Sequence, residues 1–381
     1  MTTDIAPPGI PGIADEVRTP AATATAVTRP RIVGVGTAVT AASYSQQEVL
    51  DAFGITDPKV RSVFLNSAIE RRNLALPAED AHGVRTPEPQ GDLLDKHKAL
   101  ALEMGGEALR ACLKEAGAEL SDLRHLCCVT STGLLVPGIS ALLIRELGID
   151  RHCSRTDIVG MGCNAGLNAL GVVAGWSTAH PGELAVVLCV EACSAAYTVD
   201  STMRTAVVNS LFGDGAAAVA LLAGDAPALS PAKDEAPSVL KFASCVIPEA
   251  VDAMRYDWDR TQSRFSFFLD PQIPYVVGAH AELVVDRLLT GTGLRRSDIR
   301  HWLVHSGGKK VIDAVVVNLG LTRHDVRHTV GVLRDHGNVS SGSFLFSYER
   351  LLEEGVTRPG EYGVLMTMGP GSTIETALIR W

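Results

Sequence analysis

Two distant stretches of the chain repeat one pattern, and this repetition limits what the chain can fold into. "IVGMGCNAGLNAL" at 158–170 and "LVHSGGKKVIDAV" at 303–315 each read as an apolar strand, a glycine turn and a helix. "FGDGAAAVALLAG" at 212–224 and "MGPGSTIETALIRW" at 368–381 each read as a glycine turn followed by a strand. Strands that alternate with helices in this way form layered α/β structures, and repetition in the same order implies duplication. Between the two halves lies "GDAPALSPAKDEAPSV", rich in Pro, Asp and Ala. The organisation expected is therefore a first half at 31–223, a linker at 224–239 and a second half at 240–381. Residues 1–30, rich in Pro, Ala and Thr, have neither a basic start nor an apolar core and read as a mobile tail rather than a secretory signal.

Within the first half, Ser45 to Arg72 reads as helical, and Asp95 to Gly117 as one long amphipathic helix. "HLCCVTSTG" reads as a buried strand, so the adjacent Cys127 and Cys128 face opposite sides of a sheet. "PGISALLIRELG" reads as a helix opened by Pro137 and stopped by Gly148. With 381 residues, 46% of them apolar and 20% charged, the chain has material for more than one ordinary core. No window approaches 18 uniformly apolar residues, so no membrane span is expected.

The formal net charge of −9 disfavours a general nucleic-acid binder, while a local basic patch for an anionic small ligand stays open. Eight cysteines without a CxxC pair indicate neither a disulfide framework nor a zinc site, which points to a reducing cytoplasm. His324 and His328 sit four apart, as two ligands on one helix face would, but no cysteine or acidic cluster joins them, and no metal is expected.

Three residues stand at strand–helix junctions, where loops gather at one end of a sheet. Cys163 lies between Gly162 and Gly166 at the start of a helix, His305 ends a strand before Ser306-Gly307-Gly308, and Asn338 sits in "RDHGNVSSGSFLF" before a Ser- and Gly-rich helix start. Taken singly, each has an ordinary role as a buried thiol, a satisfied histidine or a helix cap. Taken together they carry chemistry, with Cys163 and His305 at matching positions of the two repeated stretches. A helix N-terminus and a neighbouring histidine favour a thiolate–imidazolium pair. The thiolate accepts an acyl group from a thioester, and the His and Asn N–H groups form an oxyanion hole. An enolate left by loss of CO₂ suits two neutral donors, which favours Asn over Asp.

"GCNAG", "LFGDGAAAV", "HSGG", "GNVSSGSFLF" and "GPGST" together resemble the type III polyketide synthases, chalcone synthase-like enzymes of the thiolase superfamily, over Arg31 to Trp381. Within that family "FLNSAIERRNL" and "HSGGKKVIDAVVVNLGL" are most similar to the bacterial 3,5-dihydroxyphenylacetyl-CoA synthases of glycopeptide-antibiotic pathways. The resemblance implies a thiolase-like fold of duplicated βαβαβ units layered αβαβα. It implies an acyltransferase that condenses malonyl-CoA with Cys163 as nucleophile and His305 and Asn338 as partners. Phe212 matches an aromatic at the junction of the acyl-CoA tunnel and the reaction cavity, Phe267 a second one, and Gly369-Pro370-Gly371 a cavity wall. Coenzyme A thioesters are then substrates and no cofactor is implied. The resemblance also implies a cytoplasmic homodimer in which Val136 approaches the partner's cavity, and it admits enoyl-CoA hydratase-like pathway partners.

Departures from the family bear on substrate handling. Ser306 stands where plant members have Pro after the histidine. Of the plant residues that hold the CoA phosphates, Lys59 matches one, but Ser62 and Asn66 replace others; Lys309 and Lys310, after the Gly307-Gly308 turn, are candidates to compensate. Small residues at Cys193 to Ala196 leave the cavity shape open. Alternatives are another type III product, of tetrahydroxynaphthalene or alkylresorcinol type, and a ketoacyl-ACP synthase III-like condensing enzyme, which a basic docking patch would favour. A non-catalytic acyl-CoA binder has no need of the trio. A papain-like hydrolase needs Trp or Tyr after the cysteine, where Asn164 stands.

Overall fold

The computed structural model describes residues 28–82, 85–86, 88–196, 203–225 and 236–381. The expected tail up to residue 27 and the linker over 226–235 lie outside the described residues. The first part runs β1 (Pro30–Ala38), β2 (Ser43–Ser45), α1 (Gln46–Ala52), α2 (Pro58–Leu65), β3 (Arg71–Asn73), α3 (Gln90–Ala116), β4 (Leu123–Thr130), α4 (Ile139–Leu147), β5 (Ser154–Val159), α5 (Ala165–Ala179), β6 (Leu184–Glu191), α6 (Met203–Leu211) and β7 (Gly215–Ala223). The second runs β8 (Ser238–Val246), β9 (Met254–Asp259), β10 (Arg264–Leu269), α7 (Ile273–Leu289), β11 (Ile299–Val304), α8 (Lys309–Leu319), α9 (Arg327–His336), α10 (Ser343–Glu354), β12 (Tyr362–Gly369) and β13 (Thr373–Arg380).

The strand order β1-β7-β6-β4-β5 is followed, in the second part, by the matching order β8-β13-β12-β11. In both, two antiparallel pairings are followed by parallel pairing. The two sets join edge to edge at Arg31 and Ser238. Side-chain alternation then sorts the layers. Cys127, Val129, Val187, Cys189, Val219 and Leu221 point to one core, which also takes Leu167, Leu170 and Val173 of α5, Phe344, Leu345 and Leu351 of α10, and Leu303, Leu365 and Ala377 of the second sheet. Their neighbours Cys128, Val186, Leu188 and Ala218 point the other way, onto α3 and α4. Trp302, Val304, Val364 and Met366 likewise face away from the centre, onto α7 and α8. The result is five layers, αβαβα, with α5 and α10 buried in the middle. Leu170 is fully buried there, so Leu170→Ala costs about 2–5 kcal/mol.

Two sequence expectations need correction. Ser45–Arg72 is not one helix: Gly54 takes a left-handed φ of 60°, and Asp57 caps a new helix at Pro58, whose ring bars continuation from the preceding turn. The repeat was also misaligned. The buried counterpart of α5 is α10, while β11, which ends at Val304 just before His305, corresponds to β4. Glycine turns follow both kinds of strand, and this local likeness outweighed the register of the true repeat. Cys163 and His305 therefore do not occupy equivalent positions; the position matching the Cys163 turn is the loop of Asn338 and Ser340.

Candidate active site

β5 ends at Val159, and the chain turns through a 3₁₀ segment, Gly162–Asn164, into α5. Gly162 has φ 78°, and a Cβ there would lie 2.2 Å from Cδ of Pro370. Only glycine allows the β12–β13 turn to close on the nucleophile turn. Cys163 is thereby held at the amino end of a buried helix and is 7% exposed. Its Sγ lies 3.5 Å from Ser340 Oγ.

His305 continues the β11 ladder, its N–H donating to Met366 O at 2.8 Å, and its Nδ1 pairs with Ser343 Oγ. Asn338 follows α9. Its N–H donates to Leu211 O at 2.8 Å, and its carbonyl accepts from Gly213 N–H at 3.1 Å, so the Phe212 segment and the Asn338 segment are stitched together. Gly337 makes this approach possible: φ is 71°, and a Cβ would meet Leu211 O at 2.5 Å. Ser306, the residue in place of proline, donates from Oγ to Gly337 O at 3.2 Å and ties the His305 turn to the Asn338 turn. Asn338 Oδ1 accepts from Ser340 N–H at 2.8 Å. The amide oxygen is thus committed to the backbone, and the –NH₂ is the end left for the cavity.

A cavity of about 630 Å³ brings Cys163, His305 and Asn338 together. Phe212, Phe267, Gly307 and Gly308 line it as well, and Lys309 and Lys310 stand on its wall. The two phenylalanine rings meet edge-on, 5.8 Å apart at 90°. Beyond them a chamber of about 30 Å³ is lined by Cys163, Cys193, Ala196, Tyr256, Ser340 and Pro370. Lys59 is not brought in: it is exposed in the first turn of α2, while Val63 of that helix and Asn66, just past its end, reach the cavity. Lys309 Nζ is engaged by Asp313 Oδ2 at 2.7 Å.

Burial sets the protonation of the site. The Cys163 thiol is pushed up to about 12, with Ser340 and Asn338 opposing the shift through hydrogen bonds and the Glu191 charge adding to it. Burial pushes His305 down to about 3. Burial thus works against both charges of the expected thiolate–imidazolium pair, while the hydrogen bonds from Ser340 and Asn338 work toward the thiolate. No group of three His, Cys, Asp or Glu that could hold a metal ion occurs among the described residues. His328, half of the suspected pair, lies 2.8 Å from Glu354.

The sequence reading passed over several residues of the site. Glu191, fully buried at the end of β6, accepts from Ser131 N–H at 2.9 Å, Ser340 Oγ at 3.2 Å and Ser341 Oγ at 2.5 Å. Burial raises its carboxyl above the usual range despite these bonds. A lone acid in the apolar run "LAVVLCVE" was the available signal. Ser340, with φ 48°, links Glu191 to Cys163; a serine held in left-handed backbone marks a site where the surroundings dictate conformation.

Models of the chalcone and stilbene synthases match this chain over residues 31–226 for the N-terminal domain and 241–381 for the C-terminal domain. A 3,5-dihydroxyphenylacetyl-CoA synthase of Streptomyces toyocaensis is 87% identical over 353 residues, 93% of this chain and 90% of that protein. A protein of the same description from Amycolatopsis balhimycina is 74% identical over 92% of this chain and 93% of its own length. Among solved structures, PKS-I from the brown alga Ectocarpus siliculosus superposes with a TM-score of 0.84 at 26% identity, covering 93% of this chain and 98% of that one.

Proposed function

This chain belongs to the chalcone and stilbene synthase family, an acyl-CoA condensing family of type III polyketide synthases, and from that premise we propose that it builds 3,5-dihydroxyphenylacetyl-CoA from malonyl-CoA. The observation that supports the reaction type is the committed oxygen of Asn338: with Oδ1 held by Ser340 N–H, the cavity receives a neutral N–H donor beside the thiol. The choice of product rests on the 87% identity to a synthase of that description.

Loading begins with transfer of the Cys163 proton to Nε2 of His305 as Sγ attacks the thioester carbonyl, which keeps the thiolate short-lived in a dry site. CoA leaves as a thiolate that solvent protonates, the Cys163 proton stays on Nε2, and the acyl group stays on sulfur. A starter carried as malonyl loses its carboxylate as CO₂, and the enolate carbon left behind takes a proton from water to give an acetyl group. For each extension, the C–C bond to the carboxylate of a second malonyl-CoA breaks and its electron pair forms an enolate. The oxygen of that enolate accepts from His305 Nε2–H and Asn338 Nδ2–H. The enolate carbon attacks the Cys163 thioester, and the lengthened chain is now on CoA until it returns to the sulfur. About four two-carbon units give the eight-carbon acyl chain, all of them supplied through enolates of this kind. Ring closure joins carbons within the chain, so the thioester to CoA survives. Loss of water completes the aromatic ring, and hydratase-like partners assist that step.

The proposed unit is a homodimer. β5, the strand leading to Cys163, is the outer edge of its sheet, and beside it Val136 is 92% and Leu134 69% exposed. Apolar side chains this bare beside an unpaired edge favour cover by a second copy. Sedimentation at micromolar concentration is expected to give the dimer mass, and a monomer would overturn the proposal.

Malonyl-CoA supplied alone, then with excess labelled acetyl-CoA, tests the substrate reading. Product from malonyl-CoA alone without incorporated label is expected. Strict dependence on another acyl-CoA would leave the product open within the family.

A further inference from the structure

The enolate oxygen takes its hydrogen bonds from two separate turns. His305 follows β11 and Asn338 follows α9, so the two donors meet at one point only while these turns keep a fixed relation. Their backbones are anchored in different places. His305 N–H donates to Met366 O of β12, whereas Asn338 is stitched to Leu211 and Gly213 of the first half.

Between the turns stands Ser306, which is fully buried and does not line the cavity, unlike His305 and Gly307 on either side of it. Its Oγ donates to Gly337 O at 3.2 Å. That carbonyl belongs to the peptide unit that carries the N–H of Asn338, and this N–H donates to Leu211 O at 2.8 Å. The peptide unit is therefore pinned at both ends, by a bond from the His305 turn and a bond to the segment that leads into Phe212. Among the described residues no other hydrogen bond reaches Gly337 O. Gly337 has φ 71° and no side chain to resist rotation, so the peptide that follows it is free to turn once one pin is drawn. Such a turn swings the Cα–Cβ bond of Asn338 and re-aims its Nδ2–H. Loss of the hydroxyl also leaves a buried carbonyl unpaired, which drives the rearrangement.

We propose that Ser306 is a positioning residue: through Gly337 O it fixes the Gly337–Asn338 peptide and so holds the Asn338 donor at the oxygen that His305 also reaches. The proposal rests on the decarboxylating role given to His305 and Asn338 above, and it holds whichever charge the imidazole carries.

The test has two arms, both on the full chain. In the first, malonyl-CoA decarboxylation is measured for the parent, Ser306→Ala, Asn338→Ala and the double variant. A misaimed donor costs less than a lost one, so Ser306→Ala is expected to lower kcat about tenfold with KM within about twofold, against about 10²–10³ for Asn338→Ala. With the donor already gone, adding Ser306→Ala is expected to change kcat by less than about twofold. If Ser306→Ala does not fold, Ser306→Cys, a weaker donor of similar size, takes its place in the cycle. Parent-like kcat in the folded variant overturns the proposal. So does an equal loss in both backgrounds, because a purely structural bond costs the same with or without the Asn338 side chain. In the second arm, amide hydrogen exchange is followed by mass spectrometry without substrate. The segment that holds Asn338 N–H is expected to exchange about tenfold faster in the Ser306 variant, with β11 unchanged. Unchanged exchange at Asn338 overturns the tether. A parent that does not decarboxylate malonyl-CoA overturns the function given to His305 and Asn338, and the exchange still decides whether Ser306 holds the peptide.

Discussion

At its inner end the cavity is closed by Cys163, His305 and Asn338, all under a tenth exposed, whereas at its mouth Lys309 and Lys310 stand in solvent and Lys309 is already engaged by Asp313. The same kinds of interaction act in both places with different strength. Inside, hydrogen bonds such as Asn338 Oδ1 to Ser340 N–H have no water to replace them, and removing a partner exposes the full cost of an unpaired buried group. Outside, charge pairs are screened within about 10 Å at ordinary salt and contribute about 0–1 kcal/mol. Chemistry is therefore concentrated at one end and affinity is spread thinly at the other.

The largest effect expected is at the sulfur. Cys163→Ala should abolish condensation and leave the unfolding profile close to the parent's, since it removes one sulfur atom, which lies 3.5 Å from Ser340 Oγ; turnover at the parent rate would break the contrast between the two ends. Next come the donors. Loss of one oxyanion donor costs about 10²–10³ in rate. His305→Gln keeps an N–H and should retain part of the decarboxylation, while Asn338→Asp should fall below Asn338→Gln, because a carboxylate meets the forming enolate. Malonyl-CoA decarboxylation rates of the three variants check the order.

A third effect is on stability. His305 is held at about 3 in the folded chain against 6.5 when solvated. A folded value below the unfolded one means that the unfolded chain binds more protons between these limits, so this group's contribution is complete above pH 6.5 and is lost as pH falls toward about 3. In His305→Gln the slope of unfolding free energy against pH should flatten in that window. Urea titrations across it would show an unchanged slope if the imidazole were solvated.

The smallest effects belong to the mouth. Lys310→Ala should raise the KM for malonyl-CoA by a few-fold and weaken its salt dependence, consistent with a screened pair worth about 0–1 kcal/mol. Lys59→Ala should change it less, because that side chain does not line the cavity. Steady-state rates at two salt concentrations compare them, and a Lys59 effect exceeding that of Lys310 would reverse the ranking.

How much of this was legible beforehand follows the same division. A layered α/β structure could be read because apolar runs such as "HLCCVTSTG" and "LAVVLCVE" are local signals, and Cys127 and Cys128 do face opposite cores, whereas the five layers were implied only by the family resemblance. Cys163, His305 and Asn338 stood out because glycines mark the turns that carry them. Local likeness also misled: it paired the Cys163 turn with the His305 turn, although the repeat pairs α5 with α10. The Ser343–His305 bond spans 38 residues and the Ser340–Glu191 bond 149, and nothing in either neighbourhood announces the other partner. The burial that opposes a thiolate was not legible for a related reason. Burial is a property of the whole assembly, and the helix terminus that favours a thiolate was visible in the sequence while the surrounding dry wall was not.

The most direct test is to incubate the full chain briefly with malonyl-CoA alone, quench in acid, digest and weigh the cysteine-bearing peptides. The account predicts acyl masses, starting from a two-carbon unit and growing by two carbons, on the peptide that holds Cys163, with Cys112, Cys128 and Cys189 unmodified. Product formation with no acyl group on Cys163, or acylation of another cysteine that persists in Cys163→Ala with turnover intact, would contradict it.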